Sequence, residues 1–236
     1  MSAVTGQEQL VNRLEQAVRD LGEDRPLTWR SCHALRDVLG VDGLSITLEN
    51  SSVARVTLCA SDELAELLEN LQDVLEEGPC RDAFASERPS ETLLDADAAA
   101  RWPEFTPAAE KVLGSDAALW SFPMRSAGVV VGTVSLYRRR PEPLAVDVGD
   151  AQILVDAVAD LLVQDPLALT PLSVTTGEGW TSRAVVQQAT GVVAAQLHIS
   201  IGDALTVLRS HAFTTGSQLR DVACNVLDQT LDLSTH

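Results

Sequence analysis

Apolar residues recur at helical spacing in the first forty positions and then change to the alternation typical of strands. Segment 7–21 predicts an amphipathic helix, whose apolar face carries Leu10, Leu14, Ala17 and Leu21. A second helix is predicted at about 27–39, because Gly40 is a typical helix stop. Next, GLSITLE and SVARVTLCAS predict two strands joined by a turn at ENSS.

The middle of the chain continues this mixture of helices and strands. The stretch SDELAELLENLQDVLEEG predicts a helix that ends at Gly78 and Pro79, since proline cannot continue it. After it come a short strand near SETLLD, a loop through RWPEF, a helix near 104–113, strands at ALWSFPM and VVVGTVSLY joined by RSAG, and a helix around 145–164. The order αα-ββ-α-β-α-ββ-α predicts an α+β fold with a mainly antiparallel sheet flanked by helices.

The last third of the chain predicts a linker and a small helical domain. Residues 165–181 are rich in Pro, Thr, Ser and Gly and show no period, which is typical of a linker. Residues 182–236 predict a three-helix bundle whose second helix begins at Ser200, with Asp203 as a capping-box variant, and stops at Gly216. The predicted domains are therefore 1–164 and 182–236.

Charge is distributed unevenly between these parts. The chain has a formal net charge of −17, with 14 basic and 29 acidic residues in 1–170 but 3 basic and 5 acidic residues in 171–236. Such a charge opposes non-specific attraction to phosphate polymers and anionic membranes. The tail is therefore the part of the surface that repels a nucleic acid least.

Several classes of protein lack their usual signals in this sequence. It has no apolar run of membrane-spanning length, and its N-terminal residues do not resemble a signal peptide, so we expect a cytoplasmic protein with no membrane partner. The four cysteines show no CxxC spacing, which predicts reduced thiols and no metal site. GxGxxG, P-loop, GxSxG and HExxH motifs are missing, so we expect no enzymatic activity. His33 is the only histidine before residue 198, which argues against haem, and the sequence does not say which cofactor or ligand, if any, is bound.

One glycine in the tail calls for an explanation. Gly191 lies in the middle of the predicted helix 182–197, where glycine costs about 1 kcal/mol relative to alanine. Two hypotheses account for it. Either another helix of the bundle packs closely against Gly191, or the helix surface is kept shallow so that a nucleic acid can lie against it.

The tail resembles the ANTAR domain, the three-helix module of transcription-antitermination regulators. Where that family has Ala-Lys-Gly in its first helix, this chain has Ala189-Thr190-Gly191. Further matches lie in the second and third helices: Asp203-Ala204, Leu208-Arg209, Ala212, Leu219 and Asp221-Val222-Ala223. The resemblance implies that a dimer binds tandem RNA hairpins in leader transcripts, one module per hairpin.

RNA loops are recognised by stacking, by hydrogen bonds to base edges and by phosphate contacts. The tail offers side chains for each of these, and the alternative for the charged and amide groups is an ordinary solvated surface. The candidate RNA-binding residues are Arg183, Gln187, Gln188, Thr190, Gly191, Arg209, His211 and Arg220.

The front of the chain, about 10–164, resembles the GAF domain that is commonly fused to ANTAR. The resemblance is carried by DELAELLENLQDVLEEGPCRDAF, RWPEF and SFPMRSAGVVVGTVSLYRRRP. It implies a sensor that binds a small molecule or dimerises, and hence control of RNA binding by a signal. The candidate pocket residues, for which a place in the core is the alternative, are Cys80, Trp102, Phe105, Trp120 and Phe122. Two hypotheses apply to Cys80: a reactive thiolate that is stabilised at the start of a helix, or a buried and inert thiol.

Two other functions remain open from the sequence. The family's lysine is replaced by Thr190, and the basic residues usual before the third helix are replaced by TTGSQ. Both departures favour a regulator whose tail binds protein or dimerises. A helix-turn-helix DNA-binding protein is less compatible, since the tail has no basic recognition helix.

Overall fold

The structure, a computed structural model, describes residues 6–50, 54–165, 168–169, 182–217, 219–228, 230–231 and 233. Contacts divide it into two compact units. The first, here called the sheet unit, is Met1–Gln72 with Glu77–Val174; the second, the helical unit, is Asp73–Glu76 with Thr175–His236. The boundary falls within the predicted linker 165–181, most of which lies outside the described residues.

The sheet unit has the predicted helices and strands and two short helices more. Its elements are α1 (Gly6–Asp20), α2 (Leu27–Leu39), β1 (Gly43–Asn50), β2 (Ala54–Ala60), α3 (Glu63–Leu75), α4 (Pro79–Ser86), β3 (Ser90–Leu93), α5 (Ala96–Arg101), α6 (Phe105–Leu113), β4 (Ala118–Ser126), β5 (Val129–Arg138) and α7 (Val148–Gln164). The end of α3, from Asp73 on, is counted with the helical unit.

The two additional helices, α4 and α5, are too short to show a helical period in the sequence. The sequence predicts that α3 ends at Gly78 and Pro79, but the helix ends at Leu75, after which Glu76 has a φ of 55°. Pro79 instead begins α4, a position that suits its fixed φ and its missing N–H. Asp95 caps α5, since its carboxylate accepts from the backbone N–H groups of Asp97 and Ala98. Each short helix therefore depends on a local start signal rather than on an apolar stripe.

The five strands form one antiparallel sheet in the order β2-β1-β5-β4-β3. Side chains alternate between its two faces, and one face is apolar. On that face Leu44, Ile46, Val134 and Phe122 are completely buried in a core shared with α1, α2 and α7. The α+β fold with a helix-flanked antiparallel sheet is confirmed.

The helical unit contains the three predicted tail helices, α8 (Ser182–Leu197), α9 (Ile201–Thr215) and α10 (Leu219–Leu227). Ser200 caps α9, accepting from the backbone N–H of Asp203 at 3.1 Å. Gly216 ends the helix in the left-handed conformation with φ of 63°. The buried stripes of the three helices meet in one core: Val185, Ala189, Val193, Ala204, Leu208, Ala212, Leu219, Val222, Ala223 and Val226.

Helix length also bears on membrane association. Among the described residues no single helix is long and apolar enough to cross a membrane. One pair of helices, Gln188–Leu197 and Gly202–Thr215, has the length and composition of a membrane span but is bent by 105°.

All four cysteines are free thiols, three of them buried and Cys224 half-buried.

Candidate functional site

The exposed face of α8 is built from small and uncharged residues. Gln188, Gly191 and Ala195 follow one another at spacings of three and four, so they share a face, and all three are exposed. A Cβ atom placed on Gly191 would meet no atom within 4 Å. Close packing by another helix therefore does not explain the glycine, and the shallow-surface hypothesis agrees with the structure.

Thr190 does not lie on this face, contrary to the expectation that it contacts bases. Its side chain is only 4% exposed, and its hydroxyl donates to the backbone carbonyl of Val186 at 2.6 Å. One residue of rotation along a helix moves a side chain by about 100°, which separates Thr190 from Gly191. The hydroxyl is thus committed within the helix.

Arg209 on α9 is held by two carboxylates of the helical unit. Its Nη1 lies 2.5 Å from Glu76 and its Nη2 lies 3.2 Å from Asp73, and the side chain is 15% exposed. A guanidinium bound in this way meets a phosphate only by exchanging one anionic partner for another. The sequence contains no signal for these pairs, because 133 and 136 positions separate the partners.

The remaining predicted RNA contacts are placed less completely. His211 is half-buried on α9. Arg183, Gln187 and Arg220 belong to α8 and α10, but their side chains lie outside the described residues. The described part of the predicted contact set therefore consists of Gln188 and Gly191 on the exposed face of α8, the buried Thr190, and Arg209 and His211 on α9.

The sheet unit contains a second candidate site, a small cavity on the other face of the sheet. Its floor carries Ser45, Ser121 and Ser135, and its other walls come from α3, α4 and α6 through Leu68, Gln72, Pro79 and Phe105. The free volume is about 10 Å³, the space of about one water molecule. The strand alternation in GLSITLE, ALWSFPM and GTVSLYR, with serine on one face, was the signal for this floor.

A buried ion pair beside the cavity joins α3 to the sheet. Arg55 Nη2 lies 2.7 Å from Glu69, and the two side chains are 5% and 3% exposed. Glu69 also accepts hydrogen bonds from the hydroxyls of Ser45 at 2.8 Å and Thr47 at 3.2 Å. Glu49 approaches Arg55 from the other side at 3.3 Å. One guanidinium is therefore shared between two carboxylates, neither of which lines the cavity.

The cavity wall also includes Tyr137, whose hydroxyl donates to the carboxylate of Asp62 at 2.9 Å. Burial raises the pKa of Tyr137 well above its ordinary value, and the bond to Asp62 raises it further. The phenol is thus a neutral donor. Asp62 in turn caps α3 by accepting from the N–H groups of Leu64 and Ala65.

Of the five predicted pocket residues, Phe105 and Trp120 touch the cavity. Trp120 and Phe122 are both even positions of β4, so their side chains point to the same face and pack in the apolar core opposite the serines. Trp102 is 3% exposed and donates its indole N–H to Asp82 at 3.1 Å.

Cys80 is not a stabilised thiolate. It is completely buried, and this burial raises the pKa of its thiol well above the ordinary value. The inert-thiol reading is therefore the one that agrees with the structure. Among the described residues there is also no group of three side chains that could hold a metal ion.

Comparison with known families identifies the tail. Residues 178–227 match the family model described as the ANTAR domain. The match begins a few residues before α8 and ends with α10, so it covers all three helices and both the Gly191 face and Arg209.

Solved structures with a similar chain path include several GAF domains. That of a phosphoenolpyruvate-protein phosphotransferase from Coxiella burnetii is 14% identical, covers 66% of this chain and 90% of its own, and has a TM-score of 0.44. The corresponding Acinetobacter domain is 16% identical, covers 68% and 92%, and has a TM-score of 0.43. A GAF domain/HD domain protein from Geobacter sulfurreducens is 15% identical, covers 68% and 97%, and has a TM-score of 0.41. No curated protein matches the chain.

Proposed function

We propose that this chain, which carries an ANTAR domain behind a GAF-type sheet unit, is a signal-responsive regulator of transcription antitermination. In this proposal the ANTAR domain binds tandem RNA hairpins of leader transcripts, and the GAF-type unit controls that binding. The chain acts as a homodimer in the cytoplasm and as a binding protein rather than an enzyme.

The open surface around Gly191 is the observation that supports RNA binding most. Within the described bundle no neighbour comes close to this glycine, so internal packing does not offset its cost to the helix. A partner from outside the chain explains the glycine, because Gly191 has no Cβ and the backbone of an RNA can therefore approach α8 closely. Gln188 beside it offers an amide to base edges.

The phosphate contacts come from arginine. The tail has three of them, Arg183, Arg209 and Arg220, and a dimer has six. This supply is small, and the carboxylates of Asp73 and Glu76 reduce it further by occupying Arg209. We therefore expect an affinity that is weak at physiological salt and that rises when Arg209 is released.

The occupied arginine also supports a second candidate function. A helical unit whose guanidinium is already neutralised and whose exposed α8 face is uncharged has the surface of a protein-binding or dimerising module. In that case the tail has little or no affinity for RNA.

A mobility-shift titration of the full chain with a tandem-hairpin RNA separates the two functions. We expect binding to the tandem hairpin, weaker binding to a single hairpin, and a marked loss in Arg209→Ala with helicity by circular dichroism unchanged. Arg13→Ala, an exposed arginine on α1 with the same change of charge, is the matched control and should bind as the native chain does. Absence of binding at every salt concentration would instead favour the protein-binding function, and light scattering then shows whether the chain is a dimer.

A further inference from the structure

A row of four serines crosses the sheet on the face that carries the cavity. Ser45 on β1 pairs with Ser135 on β5, Ser135 with Ser121 on β4, and Ser121 with Ser90 on β3. Because directly paired residues point to the same side of a sheet, the four side chains stand next to one another. Ser45, Ser121 and Ser90 are buried, and the wall over the row comes from α3, α4 and α6.

The hydroxyls of this row are incompletely satisfied. Ser45 donates to Glu69, but Ser121 and Ser135 are 3.5 Å apart, at the limit of a hydrogen bond. The hydroxyls of Ser90 and of Thr133, two residues before Ser135 on β5, are buried without a partner among the described residues, but these two residues do not line the cavity. Buried polar groups without full partners cost free energy, so Ser121 and Ser135, which do line it, call for a polar occupant.

The opposite face of the same strands shows that the row is not required by the sheet. There the residues are apolar and completely packed, as Ile46, Val134 and Phe122 illustrate. Serine also has a low preference for central strands compared with β-branched residues. The serines on this face are therefore explained by the cavity that lies over them and not by the needs of the sheet.

The charge of the cavity wall restricts what the occupant can be. None of the residues that line the cavity is charged, and the nearby carboxylate of Glu69 is neutralised by Arg55. An anion finds no available cation here, and 29 acidic residues in 1–170 oppose its approach. A cation finds no carboxylate in the lining, since Glu69 and Glu49 share Arg55, and Asp62 lies behind Tyr137 and accepts from its hydroxyl and from the start of α3. An apolar molecule would leave the hydroxyls unsatisfied.

We propose that the serine row is the floor of a binding site for a small uncharged polyol, whose hydroxyl groups donate to and accept from the serine hydroxyls. The inference rests on the sensor part of the proposed function and names the class of signal. The cavity of about 10 Å³ holds about one water molecule, so a three-carbon polyol enters only when the side chains of Leu68 and Gln72 above the row move aside.

Glycerol tests the chemistry together with two probes of the same carbon skeleton, the anion glycerate and the cation 3-aminopropane-1,2-diol. Each is titrated into the ¹⁵N-labelled full chain without RNA, and the backbone N–H groups of Leu119 and Tyr137 on the cavity wall are the reporters. We expect a saturable shift with glycerol and none with either charged probe. Equal shifts from a charged probe, or no saturable shift from glycerol, would overturn the proposal.

The site is tested by removing two hydroxyls of the row with Ser121→Ala and Ser135→Ala together. The double variant should bind glycerol at least tenfold more weakly, whereas Ser126→Ala, at the end of β4 and outside the cavity wall, should bind it unchanged. If the double variant loses its dispersed spectrum, Ser135→Ala alone serves, with a smaller loss expected. Unchanged binding in a folded row variant would overturn the assignment. Hairpin binding, measured separately on the same samples, shows whether the RNA function itself stands.

Discussion

At the residue scale, Thr190 and Gly191 are neighbours on α8 but meet opposite environments. The threonine is 4% exposed with its hydroxyl bonded to its own helix, while the glycine faces open space. A single step along the helix therefore separates a packing residue from a surface residue. Of these two predicted RNA contacts, Gly191 lies on the exposed face of α8 and Thr190 is buried in the bundle.

Because no atom packs against Gly191, we expect a larger side chain there to leave the fold intact but to weaken RNA binding. Gly191→Ala should stabilise the chain by about 1 kcal/mol, because alanine favours the helix and meets no neighbour. Gly191→Leu should fold as well but bind hairpin RNA at least tenfold more weakly. Urea unfolding and mobility shifts measure the two effects, and Asn225→Leu on the exposed side of α10 is the control. Native RNA affinity in Gly191→Leu would contradict the shallow-surface explanation.

We expect RNA affinity to increase when the two carboxylate partners of Arg209 are removed. Asp73→Asn with Glu76→Gln frees the guanidinium, so RNA affinity should rise about fivefold, as expected for exchange of a partly exposed ion pair worth about 1 kcal/mol. The control Glu91→Gln with Asp97→Asn changes two exposed carboxylates on the sheet unit and the net charge equally. An equal gain in both double variants would assign the effect to net charge alone.

His33 predicts a pH dependence of stability. Its ring stacks on Trp29 with centroids 3.9 Å apart, and burial lowers its pKa below the ordinary 6.5. The neutral ring therefore contributes stability that is present above pH 6.5 and is lost as the pH falls through the lower pKa of the folded state. Thermal unfolding between pH 7.5 and pH 5 should show a smaller loss in His33→Phe, which keeps the stacking. Equal losses in variant and native chain would mean that His33 does not titrate in this way.

At the scale of elements, α3 is attached to the sheet by charge as well as by apolar packing. Glu69 on this helix gathers Ser45, Thr47 and Arg55, all on the strands beneath it. The same helix supplies Leu68 and Gln72 to the cavity wall. Its position therefore depends on the buried pair and determines the size of the cavity.

Loss of one partner of that pair should be costly. Glu69→Gln removes one of the two carboxylates described beside the buried Arg55, so we expect a loss of about 3 kcal/mol in the free energy of unfolding. Glu63→Gln, exposed at the start of the same helix, should change it by less than about 0.5 kcal/mol. Arg55→Met with Glu69→Leu should recover most of the loss, and urea unfolding measures all three. A double variant no more stable than Glu69→Gln would show that the surrounding hydroxyls, not the charges, carry the effect.

At the scale of the whole molecule, the charge is concentrated in the part of the sequence that is not proposed to touch RNA. Residues 171–236 hold 3 basic and 5 acidic residues, against 14 and 29 in 1–170. A polyanion therefore meets repulsion from most of the chain and weak attraction from a few arginines. Salt concentration weakens both interactions.

The number of arginines limits how steeply RNA binding depends on salt. Six phosphate contacts in a dimer predict a slope of roughly −4 to −5 for log K against log salt concentration. Arg209→Ala removes two of the six, so its slope should be shallower by about 1.5, whereas Arg13→Ala should leave it unchanged. Filter binding over a range of potassium chloride concentrations measures it. A far steeper native slope would mean that other basic residues contact the RNA.

The amino-acid sequence by itself determined the order of elements, the α+β class and the three-helix tail. These follow from periodicity and from local stops such as Gly40 and Gly216, which act through neighbouring residues. The short helices α4 and α5 were not predicted, because a helix of about two turns is too short to show a periodic apolar face.

Only the tertiary structure decided which side chains meet. Strand register aligned Ser45, Ser135 and Ser121, and chain folding brought Asp73 to Arg209 across 136 positions. Pairing register and long-range packing depend on the whole arrangement of the chain, because each contact becomes possible only when the elements carrying it are already in place. Local sequence patterns therefore do not indicate such long-range pairs.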